Sequence, residues 1–117
     1  MGRYYYLIVR KLFWFAFSIL KMRRLAKDGT QTEESTYAYL RSVVEVMKKA
    51  CHVRTEVHGL ENLPKEGGYI MYPNHQGKYD AYSIVTVHEK PCTVVMDKAK
   101  SYDLFINQVI DLVKGKR

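Results

Sequence analysis

The chain has 117 residues, of which 47% are hydrophobic and 26% charged. This composition is typical of one globular domain and excludes a disordered or fibrous chain. Its two cysteines, Cys51 and Cys92, are too few for a disulfide framework and favour a reducing, intracellular environment. The net charge of +7 comes from residues 1–27, which contain basic residues and no acidic one, because the twelve remaining basic residues balance the twelve acids. No basic surface is therefore expected outside this segment, which argues against nucleic-acid binding.

The N-terminal segment is apolar between residues 4 and 20, except at Arg10 and Lys11. Its uninterrupted apolar stretches are well short of the ~20 residues that cross a bilayer. At ~100° per residue, Arg3, Arg10, Lys21 and Arg24 fall within about one sixth of a helix circumference. This pattern predicts a helix lying on a membrane surface, with its cations near anionic head groups. A buried core helix is the alternative.

A second helix is predicted after the turn at residues 27–32. Thr32 or Ser35 could cap it, and the acidic residues at 33 and 34 suit a helix N-terminus. Apolar residues at helical spacing define one stripe: Tyr37, Leu40, Val43, Val44, Met47 and Cys51. Residues 1–50 are thus expected to form an amphipathic helical hairpin on the membrane, unless the stripe packs on the domain that follows.

Residues 51–117 show a different pattern, in which short apolar runs alternate with helical stretches. Strands are predicted at residues 53–57, 69–72, 92–96 and 108–113, and helices at 80–88 and 98–107. Such alternation predicts an α/β layer fold with parallel strand pairing.

The residues best suited to chemistry are His75 and Asp80. His75 follows the predicted strand at 69–72, and Gly77 is expected to let the chain turn so that Asp80 reaches the imidazole. A carboxylate bonded to one ring nitrogen leaves the other as a general base, which suits activation of a substrate hydroxyl. On the spacing alone, a loop histidine without catalytic function is the better interpretation. No arrangement of the four histidines has metal-ligand spacing, so neither a metal nor another cofactor is expected.

The surroundings of His75 resemble the glycerophospholipid acyltransferase family, most closely bacterial 1-acyl-sn-glycerol-3-phosphate acyltransferases. Residues 59–64 read Gly-Leu-Glu-Asn-Leu-Pro, a short apolar strand follows, and residues 74–80 carry Asn-His followed after four residues by Asp. The resemblance implies that His75 deprotonates the free hydroxyl of lysophosphatidic acid, that Asp80 orients His75, and that Asn74 supports the loop. The hydroxyl would attack the thioester of acyl-CoA or acyl carrier protein and give phosphatidic acid. The amphipathic N-terminal segment, which fits this resemblance, predicts a peripheral protein on the cytoplasmic face of the cell membrane, bound to anionic lipids.

The resemblance ends where the family binds the glycerol phosphate. Leu112 stands at the position of the arginine in the second family motif, so Lys114, Lys116 and Arg117 are the candidate replacements. The third and fourth family motifs do not follow within the 117 residues. Residues 51–117 are therefore expected to be the N-terminal part of an incomplete α/β catalytic domain. A catalytically inactive membrane-binding fragment is the alternative.

Overall fold

A computed structural model describes residues 2–77, 79–102 and 104–117. Its helices are α1 (Gly2–Lys27), α2 (Glu33–Ala50), α3 (Tyr79–Val87) and α4 (Leu104–Leu112). Two 3₁₀ turns, Leu60–Asn62 and Lys100–Tyr102, lie in the connecting segments. The helices predicted for the N-terminal segment, after the turn and after Asp80 are confirmed.

The turn between α1 and α2 is formed by short polar side chains. The Asp28 carboxylate accepts hydrogen bonds from the Thr30 backbone N–H at 3.0 Å and from the Thr30 hydroxyl at 2.6 Å. These bonds hold the pKa of Asp28 below its usual range. The Thr32 hydroxyl then accepts the Ser35 N–H at 3.2 Å and caps α2, as one of the two predicted alternatives has it.

The hydrophobic core lies where the four helices meet. Its buried members come from every helix: Ile19, Met22, Tyr37, Leu40, Val44, Val85, Val109 and Leu112. The aromatic rings of Phe15 and Phe105 stack with centroids 5.2 Å apart, which joins α1 to α4. Tyr82 of α3 contacts the same Phe105 ring at 5.7 Å. The core thus includes residues from both sides of residue 50, and the predicted domain boundary there stays a prediction.

Helix α1 has two apolar faces with different surroundings. One face is buried in the core and contains Ser18, Ile19 and Met22. The other is exposed and is called the outer face: Val9, Leu12, Phe13, Phe17 and Leu20, each at least 46% exposed. One face of the helix is therefore part of the core, while the membrane-surface location stays a prediction that concerns the outer face.

The predicted α/β layer is not supported. The described residues form no strand, and their only pairing of this kind is an isolated parallel bridge between Val95 and Lys116. Residues 53–57 and 69–72 have no regular secondary structure, and Ile70 and Tyr72 are 77% and 89% exposed. The strand predicted from the alternation at 53–57 is therefore not formed. A strand needs a hydrogen-bonded neighbour, and local pattern does not supply one.

The strand predicted at residues 108–113 is wrong, because most of this segment lies in α4. Gln108, Val109, Ile110 and Leu112 are buried there. Val109 and Ile110 resemble a strand over a short window, but the spacing from Phe105 through Val109 to Leu112 is helical and matches the packing against α1. The helix predicted at 98–107 is accordingly displaced toward the C-terminus.

Candidate active site

His75 and Asp80 lie on either side of the N-terminus of α3. His75 lies in an exposed segment without regular secondary structure that begins after Tyr69, and Asp80 is the second residue of the helix. The chain turns between them, and the Asp80 N–H donates to the Gly77 carbonyl at 3.1 Å. Lys78, within the same motif, lies outside the described residues. The turn thus brings the predicted pair together.

The Asp80 carboxylate is the centre of a small hydrogen-bond network. Its Oδ2 accepts the backbone N–H groups of Gln76 at 2.7 Å and Gly77 at 2.9 Å, and lies 3.1 Å from His75 Nδ1. The two backbone donors hold the pKa of Asp80 below its usual range. The N–H of Gly77 has the largest effect, the N–H of Gln76 the next, and His75 adds to it. Asp80 is therefore an anion at neutral pH.

The ionised carboxylate determines which imidazole nitrogen is available. A carboxylate only accepts hydrogen bonds, so in the neutral imidazole of His75 the proton is on Nδ1 and the lone pair on Nε2. The side chain of His75 is 63% exposed, against 33% for Asp80. The imidazole is therefore oriented and accessible, which is the arrangement a general base needs.

Gly77 has a smaller role than expected. Its φ lies outside the left-handed region, and a Cβ built on it would meet nothing within 4 Å. The chain turns at Gly77 as expected, but neither the backbone angle nor the surroundings of this residue require glycine. The network around Asp80 stabilises the turn instead.

The C-terminus of α3 is held by two side chains of α2 that sequence reasoning did not connect with the site. Arg41 donates to the carbonyl of Thr86 at 3.0 Å, and the Tyr37 hydroxyl lies 3.2 Å from the carbonyl of Val85. These carbonyls belong to the last turn of α3, where carbonyl groups lack N–H donors within the helix. The C-terminal end of a helix also favours a cation. Tyr37 was recognised only as part of an apolar stripe, because its polar partners lie 48 or more residues away.

No hydrogen bond or ion pair among the described residues joins His75 to Lys114, Lys116 or Arg117, the candidate phosphate-binding residues. Lys114 pairs with Glu33 of α2 at 2.8 Å, and this bond lowers the pKa of Glu33. Asn74 is exposed beside His75. Lys116 forms the backbone bridge to Val95.

Arg117 is bound within the C-terminal region. Its guanidinium contacts Asp111 at 2.6 Å and Asn107 at 2.7 Å, and its Nε donates to the Ser101 hydroxyl at 3.1 Å. The ring of Tyr102 lies 5.6 Å away. This set of partners makes Arg117 a structural cation in this arrangement.

Two further features bear on the kind of site. Among the residues that the structure describes, no group of three or more His, Cys, Asp or Glu side chains could hold a metal ion. None of the described helices combines the length and apolar character that crossing a membrane requires.

His75 and Asp80, called the dyad below, lie in a part of the chain that matches a known family. A family model described as Acyltransferase matches residues 54–115, more than half of the chain, and the match includes His75 and Asp80. No curated protein and no solved structure shows significant similarity to the chain. On the extent of the family match, the chain belongs to the acyltransferase family.

Proposed function

We propose that the chain carries the hydroxyl-activating dyad of an enzyme that acylates lysophosphatidic acid to phosphatidic acid. The observation that carries the proposal is the 3.1 Å contact between His75 Nδ1 and Asp80 Oδ2 in a chain of the acyltransferase family. The identity of the acyl acceptor, lysophosphatidic acid, is inferred from the resemblance of residues 59–80 to the 1-acyl-sn-glycerol-3-phosphate acyltransferases. The donor is an acyl thioester, either acyl-CoA or acyl carrier protein.

The proposed reaction begins with proton transfer to His75. Nε2 takes the proton of the acceptor hydroxyl while its oxygen attacks the thioester carbonyl. The tetrahedral intermediate then collapses, the new ester bond remains, and the thiolate leaves with the proton from the imidazolium. Asp80 stays ionised and stabilises the imidazolium.

Lys116 is the strongest of the three candidate partners for the acceptor phosphate. Lys114 is paired with Glu33 and Arg117 with Asp111. Among the described residues, Lys116 alone of the three has no side-chain ion pair. Since a paired cation must first be released, an unpaired lysine can bind the phosphate at lower cost.

The outer face of α1 supports a peripheral location on the cytoplasmic face of the cell membrane. Phe13 and Phe17 are 72% and 64% exposed, and Arg23, Arg24 and Lys27 follow on the same helix. An apolar face followed by cations suits the boundary of an anionic lipid surface. The same observation favours the second candidate function, a membrane-binding chain without catalytic activity.

The test is thiol release from acyl-CoA in the presence of lysophosphatidic acid and anionic liposomes. His75→Ala is compared with His58→Ala, which removes an exposed histidine outside the dyad. Release that requires the acceptor, disappears in His75→Ala and persists in His58→Ala supports acyl transfer. Liposome binding without release supports the second candidate.

A further inference from the structure

The segment that carries His75 has an anchor at the opposite end of α3. The Tyr69 hydroxyl lies 2.5 Å from His88 Nε2, and the two rings lie 5.9 Å apart. His88 directly follows α3, and its backbone N–H donates to the Ile84 carbonyl at 2.8 Å. Tyr69 and His88 are called the clamp below.

The direction of the hydrogen bond in the clamp follows from the other ring nitrogen. His88 Nδ1 lies 2.8 Å from the carbonyl oxygen of Lys90, which only accepts. In the neutral imidazole Nδ1 therefore carries the proton, so Nε2 has a lone pair and the Tyr69 hydroxyl donates to it. The neutral imidazole thus links two chain segments, because Nδ1 donates to the Lys90 carbonyl and Nε2 accepts from the Tyr69 hydroxyl.

The clamp is itself fixed to the body of the protein. The Tyr37 hydroxyl of α2 lies 3.2 Å from the His88 carbonyl oxygen. On the other side, the Lys90 ammonium donates to the carbonyl of Lys65, in the loop that leads to Tyr69. His88 therefore connects α2, the end of α3 and the segment before the dyad.

Between the clamp and the dyad the chain has little packing. Ile70 and Tyr72 are 77% and 89% exposed, and residues 73–76 are exposed as well. The next anchor is Asp80, which accepts the N–H groups of Gln76 and Gly77. The His75 segment is thus held at two points, one at each end of α3.

We propose that the clamp positions the His75 segment along α3, so that Tyr69 and His88 are positioning residues for the general base. The proposal rests on the proposed function for its catalytic consequence. Loss of the Tyr69–His88 hydrogen bond leaves the segment with one anchor, and the fraction of molecules with His75 aligned on Asp80 falls.

Three substitutions separate the bonds of the clamp. Tyr69→Phe keeps the ring and removes only the hydroxyl. His88→Asn keeps a donor for the Lys90 carbonyl and loses the acceptor for Tyr69, whereas His88→Gln places a carboxamide oxygen where Nε2 accepts. Tyr72→Phe is the matched control, since it removes a hydroxyl from an exposed tyrosine three residues away.

The first readout is hydrogen exchange of the Gln76 and Gly77 amides, measured by NMR. In Tyr69→Phe and His88→Asn these amides should exchange roughly 2- to 10-fold faster, the effect of one hydrogen bond, with wild-type rates in Tyr72→Phe and a return toward them in His88→Gln. Equal rates in Tyr69→Phe and Tyr72→Phe would overturn the clamp whatever the activity.

The second readout is the transfer reaction. The clamp predicts a similar roughly 2- to 10-fold loss of kcat, an unchanged KM for acyl-CoA, and no additional loss in the Tyr69→Phe/His88→Asn double variant. Additive losses, or a raised KM alone, would contradict positioning. A wild-type chain without transfer would refute the proposed function, while the exchange rates would still decide the clamp.

Discussion

The hydroxyl of Tyr37 lies 3.1 Å from Sγ of Cys92, although the two residues are 55 positions apart. The same hydroxyl lies 3.2 Å from the carbonyl oxygens of Val85 and His88. Because carbonyls only accept, the hydroxyl proton is shared between them and the Cys92 thiol donates to the hydroxyl oxygen. Burial, and then the contact with Cys92, raises the pKa of Tyr37 far above its usual range, so the hydroxyl remains a donor.

Tyr37→Phe is expected to destabilise the fold by about 1–3 kcal/mol, because it leaves buried carbonyls at the end of α3 without a donor. Urea denaturation monitored by circular dichroism measures the loss. Tyr102→Phe is the control, since that side chain is 59% exposed. Equal midpoints for the two variants would show that the Tyr37 hydroxyl is not required to hold α3.

Local spacing allowed α1, α2 and α3 to be predicted, whereas the pairing of His75 with Asp80 was predicted from the family resemblance together with the turn between them. The stripe from Tyr37 to Val44 follows the helical period, and the distance from His75 to Asp80 is a single turn of chain. The strand predicted at 108–113 was wrong because a short run of β-branched residues is compatible with either structure. The polar contacts of Tyr37 and the clamp could not be predicted, since they join segments 19 to 55 residues apart.

Asp80→Asn is expected to lower kcat by about 100-fold or more, with little change in KM for acyl-CoA. The introduced amide can donate its N–H to Nδ1 of His75, which leaves the proton on Nε2, where the base should have its lone pair. The amide is also uncharged, so it does not stabilise the imidazolium. Steady-state kinetics with saturating lysophosphatidic acid measure the effect. A variant that keeps most of the wild-type kcat would exclude Asp80 as the partner of the base.

The low pKa of Asp80 also predicts an acid dependence of stability. The pKa of Asp80 is lower in the folded chain than in the unfolded one, so its ionised carboxylate stabilises the fold. This stabilisation is complete above about pH 4, the usual pKa of an aspartate, and is lost as the pH falls through the lowered pKa. Denaturation midpoints of wild type and Asp80→Asn should therefore converge below about pH 4. A constant difference from neutral pH down to acid would contradict this prediction.

Gly77 and Gly115 allow the effect of adding a Cβ to be compared at an open position and at a closely packed one. Gly77→Ala should change the free energy of unfolding by no more than about 0.5 kcal/mol, because the new Cβ enters open space. Gly115→Ala should cost about 1–3 kcal/mol, since its Cβ would lie 2.9 Å from the Val94 carbonyl oxygen and from a methyl group of Ile110. Thermal and urea denaturation test both. Reversal of this order would mean that the turn before α3 requires glycine.

Lys116→Ala is expected to raise KM for lysophosphatidic acid by about 10-fold, as loss of one charge-assisted hydrogen bond to the phosphate implies. Lys114→Ala is the comparison, because its side chain is already paired with Glu33. The kinetics are measured at a fixed liposome concentration, with KM for acyl-CoA determined in parallel. Equal increases in both variants would assign the effect to general charge.

Phe13→Ser is expected to weaken partitioning onto anionic liposomes by about 10-fold, since it removes a large apolar side chain from the outer face of α1. Val95→Ser is the control, because Val95 is 84% exposed but lies outside α1. Co-sedimentation with vesicles containing phosphatidylglycerol measures binding, which should also decrease as salt screens the cations that follow the outer face. If Phe13→Ser binds like wild type while Val95→Ser does not, the membrane contact lies elsewhere on the protein, and α1 serves the core alone.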